Sequence, residues 1–429
     1  MKMTIVLAFM AVFALAECQE NPTHSTNKIM SIDTNDAKLS GPSLAESNNP
    51  KESNERKFIS FSEQEKDLVN SNNDFAFNLF RAAQTDKSQI LSPLSITYAL
   101  GMLNNGATGK TQQEINETLG FGDVGVDAIN AFCKKMLEEA PALDNGTEIL
   151  IGNTVFTNKG YKLKPNFVKK AKDYYNAKPE SRDFHDGKTL DIINQWASDH
   201  TNKMIKKVLD EQSFNPDAVS YLLNAIYFKG TWKEKFDKKD TKEEHFNGKE
   251  KVMMMWLNKK FRYNDNDIYQ SVKLPYGNGA YTMTIMLPHE DKTVNDILSN
   301  LNSESWNENI MQMRDYFVDL KLPRFETDTD MELNKIMQRL GISKAFTSAA
   351  EFDNFCESPT YIELIKQVAK IKLDEEGTEA AAVTVIGSIK ASAPRKPERV
   401  EFHANRTFLY VISEQSTGAI FFIGKYTGK

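Results

Sequence analysis

The chain has 429 residues, 40% hydrophobic and 26% charged, with 53 Lys and Arg against 59 Asp and Glu for a net charge of −6. These are ordinary globular proportions, and the length alone would allow two or three domains. The basic residues are scattered rather than gathered into the stripe that a nucleic-acid groove needs, which argues against a nucleic-acid partner.

Lys2 precedes an apolar run from Ile5 to Ala16 that is too short to anchor in a bilayer, and Ala14-Leu15-Ala16 is a pattern that signal peptidase accepts. Residues 1–16 are therefore expected to be a signal peptide, with a secreted, extracellular chain starting at Glu17. Cys18 offers an alternative, lipid attachment to the cell envelope, although Glu17 occupies the place where lipoprotein signals want a small residue. Asn, Ser, Glu and Pro dominate up to Lys57, and such a segment cannot bury enough apolar area to offset its ordering entropy. Residues 17–57 are expected to be a disordered polar spacer. No later stretch is apolar and long enough to cross a membrane.

From Phe58 onward the texture is globular. Leu68, Phe75, Ala76, Leu79 and Phe80 share one helical face, and Ile96, Ala99, Leu100 and Leu103 form a second such stripe. Tyr221–Phe228 is nearly continuous in apolar residues, as a strand covered on both faces requires. Tyr281–Leu287 and Val318–Leu322 read as strands too. Ile365–Leu373 alternates, with Ala369, Ile371 and Leu373 on one face and Lys366, Lys370 and Lys372 on the other. Phe408–Ile412 and Ala419–Ile423 are two further apolar runs. A helix-rich first half, a strand-rich second half and no internal repeat predict one large α+β domain over residues 58–429.

Several motifs look chemical without being so. Gly106-Ala-Thr-Gly109-Lys110-Thr111 imitates a phosphate loop, but position 104 is Asn where a glycine is needed, and the preceding segment reads as helix; a structural turn is expected. The six histidines are dispersed, without metal-ligand spacing, and no G-x-S-x-G elbow is present. Neither an enzyme nor a metal or cofactor site is indicated. Cys133 and Cys356 are expected to be buried thiols rather than a staple, because a core of this size needs none. Asn116, Asn145 and Asn405 begin N-x-[ST] patterns, which matter only in a glycosylating host.

The unusual stretch is Asp374–Pro394. Gly377 marks a backbone pivot, and Ala380–Ile389 is free of charge and proline and rich in small or β-branched residues. Permanently exposed, it would be an aggregation hazard; as a helix, its valines, Thr384, Ile386 and Gly387 would be poor choices. Alternation explains it better. Thr378, Ala380, Ala382, Thr384 and Ile386 share one face of an extended strand, uncharged and small at its leading end, with Glu379 on the other face. An exposed segment patterned as a buried strand implies two states, outside and inserted. Separately, the lone Asn224 inside the apolar run Tyr221–Phe228 predicts a buried polar network.

Here the sequence resembles a known family. Glu375–Ala382 (E-E-G-T-E-A-A-A) looks like the proximal hinge of inhibitory serpins. Ser92-Pro-Leu-Ser95-Ile96 with Ala99-Leu100 and Gly106-Ala107, Asn224–Trp232 with Phe236, Leu322–Phe325, Leu340-Gly-Ile342 with Ala345-Phe346, Phe402–Arg406 and Gly418–Gly424 match in order. The resemblance spans roughly residues 65 to 425. It implies a serpin fold with a large central sheet, a monomer, and a reactive loop over about 375–397 with Glu375, Gly377, Thr378, Glu379, Ala380, Ala381 and Ala382 as hinge. It further implies that Ser92, Ser95 and Asn224 form a shutter through which central strands part, and that Trp232 marks the breach where the loop enters. One departure is Gln367, which stands where many serpins carry a shutter His.

By the same resemblance the partner is a protease, serine-type and by extension cysteine-type, which acylates on the scissile residue. The freed loop then inserts as a central strand and carries the protease to the far pole, out of a metastable native state. Family spacing from Gly377 gives the bond Ala391-Ser392, suited to an elastase-like enzyme; counting back from Arg399-Val400 gives Ala393, and Lys390 or Arg395 would suit a trypsin-like one. The rival reading is a non-inhibitory serpin acting as carrier or chaperone.

Overall fold

A computed structural model describes residues 54–122, 124–378 and 398–429. Among these, the helices are α1 (Glu63–Ala83), α2 (Pro93–Asn104), α3 (Gly109–Leu119), α4 (Val126–Glu139), α5 (Pro165–Tyr175), α6 (Thr189–Asp199), α7 (Val294–Asn300), α8 (Ser303–Gln312) and α9 (Asn334–Leu340). The strands are β1 (Gln89–Leu91), β2 (Thr147–Asn158), β3 (Glu180–Arg182), β4 (Ser220–Thr231), β5 (Lys242–Phe246), β6 (Glu250–Asp265), β7 (Tyr269–Pro275), β8 (Tyr281–Pro288), β9 (Arg314–Pro323), β10 (Phe325–Glu332), β11 (Leu364–Asp374), β12 (Gly377–Thr378), β13 (Arg399–His403), β14 (Phe408–Glu414) and β15 (Ile420–Tyr426). The α+β architecture expected from the sequence is present, with two large sheets and helices packed on them. The signal peptide, Cys18 and all but the last four residues of the expected spacer lie outside the described residues. Those four are exposed, and the Asn54 amide donates to Asp144 Oδ1 at 2.9 Å.

Two sheets form the body. One has the order β10-β11-β12-β4-β2-β3; the other runs β1-β15-β14-β8-β7-β6-β9-β13, with β5 paired to β6. Helices and strands are interleaved rather than segregated: β2 and β4 stand among the early helices, and α7, α8 and α9 fall in the strand-rich half. The halves differ in proportion only.

Local sequence explains the elements that position the site. Helix α1 opens with a capping box, the Ser62 hydroxyl accepting from Glu65 N and the Glu65 carboxylate from Ser62 N, and its predicted stripe is buried. Helix α2 differs from its one-sided reading, because all twelve residues are buried. It lies against β2, β4 and β15, so both sheets cover it. Its start is fixed by Ser92 at the N-cap and Pro93 in the first turn.

Strand β4 is covered on both faces, as its apolar run requires. Leu222, Ile226 and Phe228 join the main core, while Tyr221, Leu223 and Ala225 meet Ile193 and Ala197 of α6 on the other side. In β11, Ala369, Ile371 and Leu373 face the main core and Lys372 is exposed. Lys366 is buried even so, reaching Asp330 at 2.8 Å across β10.

The imitation phosphate loop is a turn. Gly109 has φ 51°, and the α3 amides of Lys110 and Thr111 donate to one Glu351 carboxylate oxygen at 2.6 and 3.3 Å. A protein carboxylate thus already fills the anion position at this helix start. Cys133 and Cys356 are free and buried, and burial pushes both thiols up to about 12.

Candidate functional site

Strands β4 and β11 lie side by side in parallel from Leu364↔Tyr221 to Ala369↔Ile226. Above that level they part, and the chain leaving β11 turns back into the gap. The turn is tight. Asp374 Oδ1 accepts from Glu376 N at 2.9 Å, and Glu375-Glu376 are the only residues between the paired Asp374 and Gly377. The returning β12 pairs antiparallel on both sides: Thr378 faces Leu373 of β11 and Gly230 of β4.

Gly377 is required here on two counts. Its φ is 146°, and a Cβ would come within 2.1 Å of the Gly230 carbonyl oxygen and 2.7 Å of Thr231 Cα. The pivot read from sequence is therefore a point of contact between backbones.

Trp232 fastens this turn. Its indole Nε1 donates to the Asp374 carbonyl at 3.0 Å, and its backbone amide donates to the Glu376 carbonyl at 2.8 Å. The indole stacks on Tyr276 at 4.3 Å, with the rings 10° apart. The Tyr276 hydroxyl meets Thr378 Oγ1 at 2.8 Å, both residues being 0% exposed. Burial pushes the Tyr276 phenol far above its ordinary value, so it stays protonated.

Charged groups hold the turn from outside. Glu375, 2% exposed, accepts from Thr241 Oγ1 at 2.8 Å, with Arg324 3.8 Å away. The Glu376 carboxylate meets Lys235 Nζ at 2.6 Å and Lys238 Nζ at 3.8 Å. The Lys235 hydrogen bond, with both lysine charges behind it, holds its pKa below the usual value.

Lower in the sheet, Ser92, Ser95, Asn224 and Gln367 converge. The Gln367 side chain accepts from Ser92 N at 3.0 Å, and its Nε2 donates to Ser92 O at 3.0 Å, Ser95 Oγ at 3.1 Å and Asn224 Oδ1 at 2.6 Å. Asn224 Oδ1 also takes the Ser95 hydroxyl at 2.8 Å, while Asn224 Nδ2 donates to Asn153 Oδ1 at 2.8 Å. All five residues are buried. The network predicted around Asn224 exists, and Gln367 serves it as both donor and acceptor.

Glu379, Ala380, Ala381 and Ala382 of the expected hinge, and Lys390, Ala391, Ser392, Ala393 and Arg395 around the expected scissile bond, lie outside the described residues. Sequence reasoning did not single out Asn153, Tyr276, Thr241 or Lys235, and it met Arg324 only as part of the motif Leu322–Phe325. Asn153 carried a usable signal, being a lone Asn in the run Ile149–Phe156 much as Asn224 is in its own. Among the described residues no group of three or more His, Cys, Asp and Glu could hold a metal ion, and no helix is long and apolar enough to cross a membrane.

Comparison with known proteins agrees with this geometry. The family model "Serpin (serine protease inhibitor)" matches residues 70–428. Iripin-2 of Ixodes ricinus is 30% identical over 380 residues, covering 86% of this chain and 95% of its own. Serpin B3 of Homo sapiens is 30% identical over 387 residues, covering 84% and 99%. Among solved structures, the thermophilic serpin tengpin in its native state superposes with a TM-score of 0.78 at 26% identity, over 86% of this chain and 96% of that one. Thyroxine-binding globulin in complex with thyroxine gives 0.74 at 26% identity, over 83% and 98%. Sequence motifs, sheet order and relatives matched along nearly their whole length agree, and the chain belongs to the serpin family.

Proposed function

We propose that this serpin is a secreted, single-use inhibitor of serine endopeptidases that traps its target by inserting residues 378 onward between β4 and β11. The observation that carries the reading is the docked Thr378, already paired to both strands at the top of the slot.

Continuing that register downward tests it against the sequence. The next position falls between Lys229 and Lys372, and residue 379 is Glu. Ala380 would follow between Phe228 and Ile371, then Ala382 between Ile226 and Ala369, both small residues entering the main core. Thr384 would arrive between Asn224 and Gln367, where a hydroxyl can replace the amide contact that it breaks. Ile386 would reach Leu222 and Ile365. Each residue type suits its slot, which supports alternation as the basis of insertion.

The chemistry belongs to the target enzyme. Its nucleophile attacks the scissile carbonyl and forms an acyl-enzyme, and insertion competes with the water that would release it. We place the bond at Ala391-Ser392, favouring an elastase-like enzyme with a small apolar pocket; a cut at Lys390 or Arg395 would mark a trypsin-like one. A carrier role, suggested by the likeness to thyroxine-binding globulin, is the second reading.

Incubation with elastase and with trypsin separates the two. An inhibitor gives an SDS-stable adduct whose fragment masses locate the severed bond, and the cut protein melts above the intact one. Thr378→Arg, which forces a guanidinium against Tyr276, should turn inhibitor into substrate. Cleavage of the wild type with neither adduct nor gain in melting temperature would sink the proposal.

A further inference from the structure

We infer that Tyr276 is a positioning residue whose hydroxyl keeps Thr378 docked, so that the loop starts each reaction with its first pairing already made. This rests on the insertion reading above and adds to it the residue that sets the starting point.

Tyr276 is built to be immobile. It follows β7, where its amide donates to the Tyr281 carbonyl at 2.9 Å, and the next amide, Gly277 N, donates to Thr231 O at 2.8 Å. Its ring is stacked under Trp232 and meets the Phe228 ring edge-on at 5.2 Å. Strand β4 approaches so closely that a Cβ on Gly230 would lie 2.8 Å from Tyr276 Cδ1. With the ring unable to tilt, the hydroxyl is a fixed point inside the slot.

Apart from the backbone pairing of β12 itself, the other hinge contacts fall on Asp374, Glu375 and Glu376 and act at the rim. The Tyr276 contact instead holds the side chain of Thr378, the deepest described residue of the segment. Losing it would leave one buried hydroxyl unpaired and favour a hinge outside the slot. A released hinge must find its register again while the acyl-enzyme waits, and it loses chain entropy in doing so.

A double-mutant cycle on the full chain tests this. Tyr276→Phe keeps the stacked ring, and Thr378→Val keeps the side-chain shape, so each removes one end of the contact. Each alone should speed hydrogen exchange in the peptide covering Glu375–Thr378 by about tenfold, the order expected for one unpaired buried hydroxyl. Each should also raise the fraction of inhibitor cleaved rather than trapped. The double variant should lose less in both readouts than the two single losses combined, because no polar atom is then left unpaired. Wild-type exchange in either single variant, or additive losses in the double, would overturn the inference. Failure of wild-type protein to form any adduct would instead strike the insertion reading, and the exchange cycle would still report whether Tyr276 docks the hinge.

Discussion

Two buried polar sites lie along the same seam between β4 and β11, and they are made differently. The upper one, around Trp232 and Thr378, combines ion pairs at the rim with a hydroxyl contact inside, and the strands there are already apart. The lower one, around Asn224 and Gln367, contains only amides and hydroxyls, and the strands there are joined. The upper contacts can be exchanged one at a time, several of them in reach of water. The lower contacts share acceptors, so parting the strands disturbs all of them together. On the insertion reading, the seam would open from its upper end.

Four variants test that contrast. The largest effect is expected from Asn224→Leu, which leaves partners on Ser95, Gln367 and Asn153 unmatched in the interior and should cost about 3 kcal/mol. A wild-type urea midpoint would show that the lower site does not close the seam. Gly377→Ala should come next: strain at positive φ and the collision with the Gly230 carbonyl should cost the docked state about 2 kcal/mol. Faster exchange confined to the hinge peptide, with the Asn224 region unchanged, is the expected pattern.

Trp232→Phe keeps an aromatic ring against Tyr276 but loses the donor to the Asp374 carbonyl, for about 1 kcal/mol. Thermal melting would read it, and a loss above 3 kcal/mol would mean that the stack itself is disrupted. The smallest effect concerns acid. Because Glu376 titrates below its unfolded value, its ionised form stabilises the docked hinge. That contribution is present above the ordinary glutamate range and fades as pH falls through the lowered folded pKa. Exchange at the hinge, corrected for intrinsic rate, should thus rise in acid, and Glu376→Gln should remove the dependence. The lower network has no group that titrates there, so a matching acid response around Gln367 would contradict the comparison.

Much of the seam was legible in the sequence because its strands advertise themselves. Tyr221–Phe228 and Ile365–Leu373 carry clear patterns, and a lone Asn in an apolar run asks for partners wherever it lies. The contacts of Tyr276, Thr241 and Arg324 were not legible. Each depends on which residues the fold sets side by side from fifty or more positions apart, just outside the ends of the strands, and periodicity is silent on that. Helix α2 and its apolar stripe were legible, but its full burial was not, for a related reason: one apolar face is visible from spacing, whereas enclosure by two sheets is a property of the assembled body. The family motifs supplied Ser92, Ser95 and Gln367, which composition alone would have left among ordinary polar residues.

β11 runs antiparallel to β10 and β4 runs antiparallel to β2, yet β4 and β11 run parallel to each other. From β10 to β2 the alternating strands thus skip one member, and only a strand of opposite sense restores the alternation there, whereas the other parallel pair, β2 and β3, lies at the sheet's edge. The turn at Glu375-Glu376 already aims the chain that way. On the insertion reading, at about 3.4 Å per residue, each residue that entered would shift whatever is attached behind it by one further step along the sheet. A missing beat in strand polarity is therefore also a heading, written into the molecule before any partner arrives.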